Sequence, residues 1–299
     1  MTSAAGFGQV DHYHTLLPLL VFLPLIGYYL VALGIFGVRR IRGERMFWDA
    51  EAEARGQSIL LPQTLRQAAS FAAAPLVRLL QRSGVHPLTL TLLGAASALC
   101  AGGLLANGWV AWGGVVGFLG ASLDYFDGRI ARATGRASPL GNFLDSTLDR
   151  YGEAAFFGGA AYLFAGSRWA LTACVVALSA SQIVSYTRAK AESLGVPLAG
   201  GLMQRPERVV IFCLGASFGP AFDGVLPAQL QGQHFIFAAS VGLIACLTSA
   251  TAVSRTIQGA LALWARDPSN LAARERHVTR RSLRPAKPLA PGAPPIRPH

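Results

Sequence analysis

Seven long, mainly apolar stretches constrain this chain more than any other feature. They run approximately from Thr15 to Val38, Leu88 to Ala106, Trp109 to Tyr125, Phe143 to Ala165, Trp169 to Tyr186, Val209 to Phe222 and Phe235 to Leu263. About 20 apolar residues, at roughly 1.5 Å of rise each, cross the hydrocarbon of a bilayer as one helix. Helices suit that solvent because they satisfy their backbone polar groups internally. With 52% of residues hydrophobic, 14% charged and a mean hydropathy of +0.41, the composition excludes an ordinary soluble domain. The expected fold class is all-α, a multi-pass transmembrane helical bundle.

The charges give the bundle an orientation. Arg39, Arg40, Arg42 and Arg45 follow the first stretch, while Arg129, Arg132, Arg136, Arg188, Lys190, Arg205 and Arg208 fall in alternate connections. The connections between, such as Asn107 to Gly108 and Gly219 to Gln233, carry no Lys or Arg. By the positive-inside rule the basic side is cytoplasmic and the N-terminus is outside. The net charge of +11 therefore reads as topology plus attraction to anionic membrane lipids, with no nucleic-acid partner implied. Residues 1–45 are expected to form an N-terminal transmembrane anchor and 46–84 an interfacial amphipathic segment. Residues 85–265 would form the helical core, and 266–299 a basic, Pro-rich, disordered cytoplasmic tail. Cys100, Cys174, Cys213 and Cys246 sit singly in apolar runs and read as packing residues.

Leu123 to Arg150, LDYFDGRIARATGRASPLGNFLDSTLDR, places four aspartates at the cytoplasmic ends of two expected spans. Acids at that depth pair, bind ions or line polar cavities. At about 100° per residue, Asp124, Asp127, Gly128, Ala131 and Arg132 share one helical stripe within about 140° of arc. Gly141, Asp145 and Asp149, four apart, form a second stripe. Facing stripes would gather four carboxylates, which like-charge repulsion forbids unless cations join them. All-oxygen ligands without a nearby histidine favour Mg²⁺ or Mn²⁺. The small residues leave room for a ligand, and Arg132 offers a planar fork suited to phosphate.

The full pattern fixes eight positions, Asp124, Asp127, Gly128, Ala131, Arg132, Gly141, Asp145 and Asp149. It resembles, without departure, the signature of the CDP-alcohol phosphotransferase (phosphatidyltransferase) family. The resemblance extends over roughly Gly84 to Leu263. It implies a six-helix membrane core, here with one extra N-terminal transmembrane helix, and a homodimer. It also implies transfer of a substituted phosphoryl group from a CDP-linked donor to an alcohol, with release of CMP. On that resemblance Asp124, Asp127, Asp145 and Asp149 would hold the metal, two ions being expected, and Asp149 would also serve as the general base. Gly128, Ala131, Arg132 and Gly141 would seat the CDP moiety. HPLTLTLLG, His86 to Gly94, is similar to the family's Pro-Asn-x-x-Thr entry to its first core helix, with Leu88 in place of Asn, and Thr91 would be a further nucleotide contact.

SYTRAKAESLG (Ser185 to Gly195) and GLMQRPER (Gly201 to Arg208) resemble stretches of the phosphatidylinositol-phosphate synthase branch, with Arg188 replacing Lys and Gln204 replacing Glu. The resemblance implies CDP-diacylglycerol as donor and inositol 1-phosphate as acceptor, with Arg188, Arg208 and Arg255 as phosphate contacts. Arg205, three residues before Arg208, could share that face and bind the same dianion. Glycerol 3-phosphate, giving phosphatidylglycerol phosphate, is the alternative acceptor. The implied setting is a bacterial cytoplasmic membrane with the active site on its cytoplasmic face. An ion-coupled transporter would also use intramembrane acids. That reading leaves the Gly, Ala and Arg positions between the acids unexplained, and no inverted repeat is visible.

Overall fold

The computed structural model describes residues 12–43, 63–198 and 200–267. Among them the chain is all-helical: α1 (His12–Ile41), α2 (Gln63–Arg82), α3 (Pro87–Ala106), α4 (Val110–Ala133), α5 (Pro139–Leu163), α6 (Arg168–Ser193), α7 (Arg205–Phe222) and α8 (Phe235–Arg266). A single 3₁₀ turn, Asp223–Val225, follows α7. Residues 1–11, most of the expected tail and the first part of the expected interfacial segment lie outside the described residues.

All seven apolar stretches are helical. Four helices, α1, α3, α6 and α8, are long and apolar enough to cross a membrane by length and composition. The other three, α4, α5 and α7, fall short of the seven spans expected because they carry the charges of the site described below. The described part of the 46–84 segment forms α2, whose buried residues Gln67, Ala68, Ser70 and Ala72 mark its inner face. It packs against α1 and α4.

Helix starts follow local chemistry. His86 caps α3, its Nδ1 accepting from Leu88 N at 3.3 Å, and Pro87 opens the first turn. Ser138 Oγ accepts from Gly141 N at 3.1 Å to start α5 behind Pro139. At α7 the Glu207 carboxylate folds back to accept from Gln204 N, half of a capping box, with Pro206 in the first turn.

Small residues set the helix spacing. At Gly159 on α5 a Cβ would collide with the Gly102 carbonyl of α3, and at Gly114 on α4 it would meet Ser217 Oγ on α7. Beyond the site, Phe156 and Phe157 of α5 pack on Phe212 of α7, with ring centroids 5.5 and 5.3 Å apart, and Phe212 meets Phe237 of α8 at 5.1 Å. Outward-facing side chains are commonly apolar, among them Leu20, Val31, Val175 and Leu261, as a lipid solvent requires. α1 packs on α2, α4 and α7, with Phe22 against Phe118 and Phe218.

Candidate active site

The short link between α4 and α5 folds the two acidic stripes toward each other. Asp124 and Asp127 lie toward the end of α4, and Asp145 and Asp149 in the first half of α5. Asp145 is within Coulombic range of Asp124, Asp127 and Asp149, and Asp124 within range of Asp127 and Asp149. The facing arrangement expected from the spacing is therefore present.

A cation from a third helix enters this cluster. Arg205, the first residue of α7, places Nη2 3.1 Å from Asp124 Oδ2 and 2.5 Å from Asp149 Oδ1, joining α4, α5 and α7. The sequence spacing groups Arg205 with the acceptor arginines, whereas the fold sets it against the carboxylates. Thr91 of α3 is buried, and its hydroxyl donates to Asp127 Oδ2 at 2.6 Å. The carboxylate is thereby oriented by the residue expected to contact nucleotide. Gly94, one turn on, allows Asp124 to lie directly against α3, where a Cβ would overlap the carboxylate. Thr91, Gly94, Asp124, Asp149, Gly152 and Arg205 line a narrow cleft that reaches Phe156.

The small residues between the acids keep space open. At Gly141 the nearest atom to an added Cβ is Ser138 Oγ at 3.2 Å, and at Gly128 it is Arg132 Nη1 at 3.3 Å. Ala131 is partly buried and Arg132 exposed in the last turn of α4, with the Arg132 guanidinium beside Gly128.

The oxygen-only donor set on two helices fits a hard divalent cation. Among the described residues no three such side chains form a ready-made coordination shell. The carboxylates must rotate to share an ion, and Arg205 already supplies positive charge to two of them.

The four expected acceptor arginines are each engaged differently. Arg208 is almost fully buried and pairs with Glu153 of α5, Nε at 3.2 Å and Nη2 at 2.5 Å from Oε1. Arg255 is buried on α8 and donates to Gly200 O at 2.8 Å and Val184 O at 3.2 Å. Arg188 is exposed on α6 and pairs with Glu192 at 2.8 Å. Arg188 and Arg208 nevertheless lie within Coulombic range of Arg255, and Arg205, on the same turn as Arg208, reaches the aspartates. Arg208 Nη1 and Arg205 Nε are buried donors with no hydrogen-bond partner among the described residues. Glu153 escaped the sequence reading, although it continues the four-residue spacing of Gly141, Asp145 and Asp149 by one step.

Comparison with known proteins points to one family. A model of the CDP-alcohol phosphatidyltransferase family matches residues 85–264. The phosphatidylinositol phosphate synthase of Streptomyces avermitilis is 38% identical over 189 residues, 61% of this chain and 75% of that protein. The synthase of Mycobacteroides abscessus is 40% identical over 153 residues, 50% of this chain and 69% of that one. Two solved structures of the Mycobacterium tuberculosis phosphatidylinositol phosphate synthase superpose with a TM-score of 0.54 at 30% identity, each covering 62% of this chain. One has CDP-DAG bound and is covered over 92% of its length; the other is in complex with manganese and citrate and is covered over 87%.

Proposed function

The chain belongs to the CDP-alcohol phosphatidyltransferase family, and on that premise we propose that it transfers a phosphatidyl group from CDP-diacylglycerol to inositol 1-phosphate, releasing CMP. Membership and the enzyme class rest on the matched core and its intact aspartate pattern. The observation that carries the acceptor is the buried, unmet Nη1 donor of Arg208, with Arg255 in Coulombic range of Arg208 and of Arg188. A buried guanidinium donor without a partner calls for an anion, and a phosphomonoester supplies one. The transporter alternative gives no reason for that donor.

The chemistry is a displacement at phosphorus. The acceptor hydroxyl oxygen attacks the phosphorus that carries the diacylglycerol, the bond from that phosphorus to the bridging oxygen breaks, and CMP leaves with the bridging electrons. The hydroxyl proton passes to the Asp149 carboxylate. Arg132 orients the donor pyrophosphate, and Gly128, Ala131 and Gly141 leave the nucleotide room. Thr91 holds the Asp127 carboxylate in place. Asp124, Asp127, Asp145 and Asp149 would hold Mg²⁺ or Mn²⁺, two ions in this reading, which supply the charge that neutralises the pyrophosphate. Arg188, Arg205, Arg208 and Arg255 receive the acceptor phosphate, Arg205 by exchanging a carboxylate for a phosphate oxygen. The site faces the cytoplasm of a bacterial membrane and works in a homodimer.

The test is turnover of purified protein with CDP-diacylglycerol, with and without Mg²⁺ or Mn²⁺, against inositol 1-phosphate, free inositol and glycerol 3-phosphate, CMP and lipid product being measured. Inositol 1-phosphate should be strongly preferred. Arg208→Ala should raise its KM about tenfold to a hundredfold, the loss of one charged hydrogen bond at a buried site, with the KM for CDP-diacylglycerol unchanged. Preference for glycerol 3-phosphate would reassign the acceptor. Equal use of free inositol would remove the acceptor-phosphate pocket altogether.

A further inference from the structure

The first turn of α7 carries Arg205, Glu207 and Arg208, and each side chain reaches a different part of the bundle. Arg205 spans Asp124 and Asp149, and Arg208 enters Glu153. Glu207 is buried, and two of its carboxylate contacts tie the start of α7 to α2. Oε2 accepts from the backbone of Gln204 and so closes the start of α7. Oε1 accepts from Arg66 Nη2 of α2 at 3.4 Å, and the Arg66 side chain is itself mostly buried. α2 is in turn fixed to the helices around it. Arg129 of α4 donates to Ser70 Oγ at 2.9 Å, and Tyr28 of α1 donates to Ala72 O at 2.6 Å.

Arg66 lies outside residues 85–264, the part of the chain that the family model matches, yet it touches the residue that caps the arginine-bearing turn. We propose that Arg66 is a positioning residue for Arg205 and Arg208, acting through Glu207 on the first turn of α7. The physical reason is the cost of a buried carboxylate. Without the Arg66 guanidinium, Glu207 turns toward its flanking arginines or toward water. Either movement loosens its hold on Gln204 N and with it the turn that aims both guanidinium groups. The consequence for catalysis rests on the reading that these arginines receive the acceptor phosphate; the positioning itself does not.

The experiment compares full-length Arg66→Gln, Arg66→Lys and the control Arg78→Gln, an exposed arginine on the same helix. Amide hydrogen exchange is followed by mass spectrometry together with steady-state kinetics. Arg66→Gln should speed exchange about tenfold in the first turn of α7, the effect of losing one charge-assisted hydrogen bond, and leave α3 and α6 unchanged. Its KM for the phosphorylated acceptor should rise several-fold while the KM for CDP-diacylglycerol stays constant. Arg66→Lys should recover part of both effects, and Arg78→Gln should show neither. Unchanged exchange at the start of α7 in Arg66→Gln, or an equal increase along every helix, overturns the proposal. Faster exchange confined to that turn, with Arg208→Ala leaving acceptor KM unaltered, supports the positioning and sinks the acceptor assignment instead.

Discussion

Replacing Glu153 by Ala should destabilise the protein more than any single change at the exposed rim of the site. Arg208 is 2% exposed and Glu153 4%, and two guanidinium nitrogens, Nε and Nη2, share the one acceptor oxygen. Removing the carboxylate leaves an uncompensated cation in the bundle, a loss of about 3 to 5 kcal/mol for a buried pair broken on one side. At roughly 2 to 4 °C per kcal/mol for a domain of this size, the melting temperature should fall by about 6 to 20 °C. Glu153→Gln should fall between, because its amide oxygen still accepts. The informative partner is the double variant Glu153→Met with Arg208→Met, which removes both charges at similar volume. It should melt within a few degrees of the wild type yet need about tenfold to a hundredfold more acceptor for half-maximal CMP release. Thermal unfolding in detergent, at one fixed scan rate, measures each variant. If Glu153→Ala melted with the wild type, or the double variant melted as low as the single one, the buried pair would not be the stabilising contact argued here.

Asp149→Asn should abolish CMP release while CDP-diacylglycerol binding, measured by equilibrium dialysis, is largely kept, since it removes the proton acceptor and spares three carboxylates; near-normal turnover at saturating metal would refute that role. Gly159→Ala should cost about 1 to 3 kcal/mol of stability because its Cβ would land on the Gly102 carbonyl, a backbone atom that cannot swing aside. Gly158→Ala, where no atom lies within 4 Å, should melt like the wild type, and equal melting of the two variants would refute the contact.

The aspartate pattern was legible because helical geometry turns spacing directly into shared faces, and the α4 to α5 link then has few ways to arrange them. The seven helices were legible for the same reason. Their membrane-crossing character was less so, because α4, α5 and α7 must carry Asp124, Asp149 and Arg208, and charges needed for chemistry dilute the apolar signal. Contacts between distant helices were not legible. Nothing in the spacing of GLMQRPER says that Arg205 points to the carboxylates and Arg208 to Glu153, three residues apart on one turn. That depends on how α7 leans against α4 and α5, which packing at Gly114 and Phe212 decides. Glu153 could have been found by carrying the four-residue stripe one step further.

The backbone contact between Gly102 and Gly159 acts as a pivot. Asp149 and Asp145 lie ten and fourteen residues from Gly159, about 15 and 21 Å along α5 at 1.5 Å per residue. A tilt of about 5° at the crossing would carry Asp149 sideways by about 1.3 Å and Asp145 by about 1.8 Å, a displacement of the size that costs roughly a hundredfold in rate. A glycine contact about 15 Å along α5 from Asp149 thus sets the gauge of the acidic cluster, and an added methyl group there would be amplified at the far end of the helix.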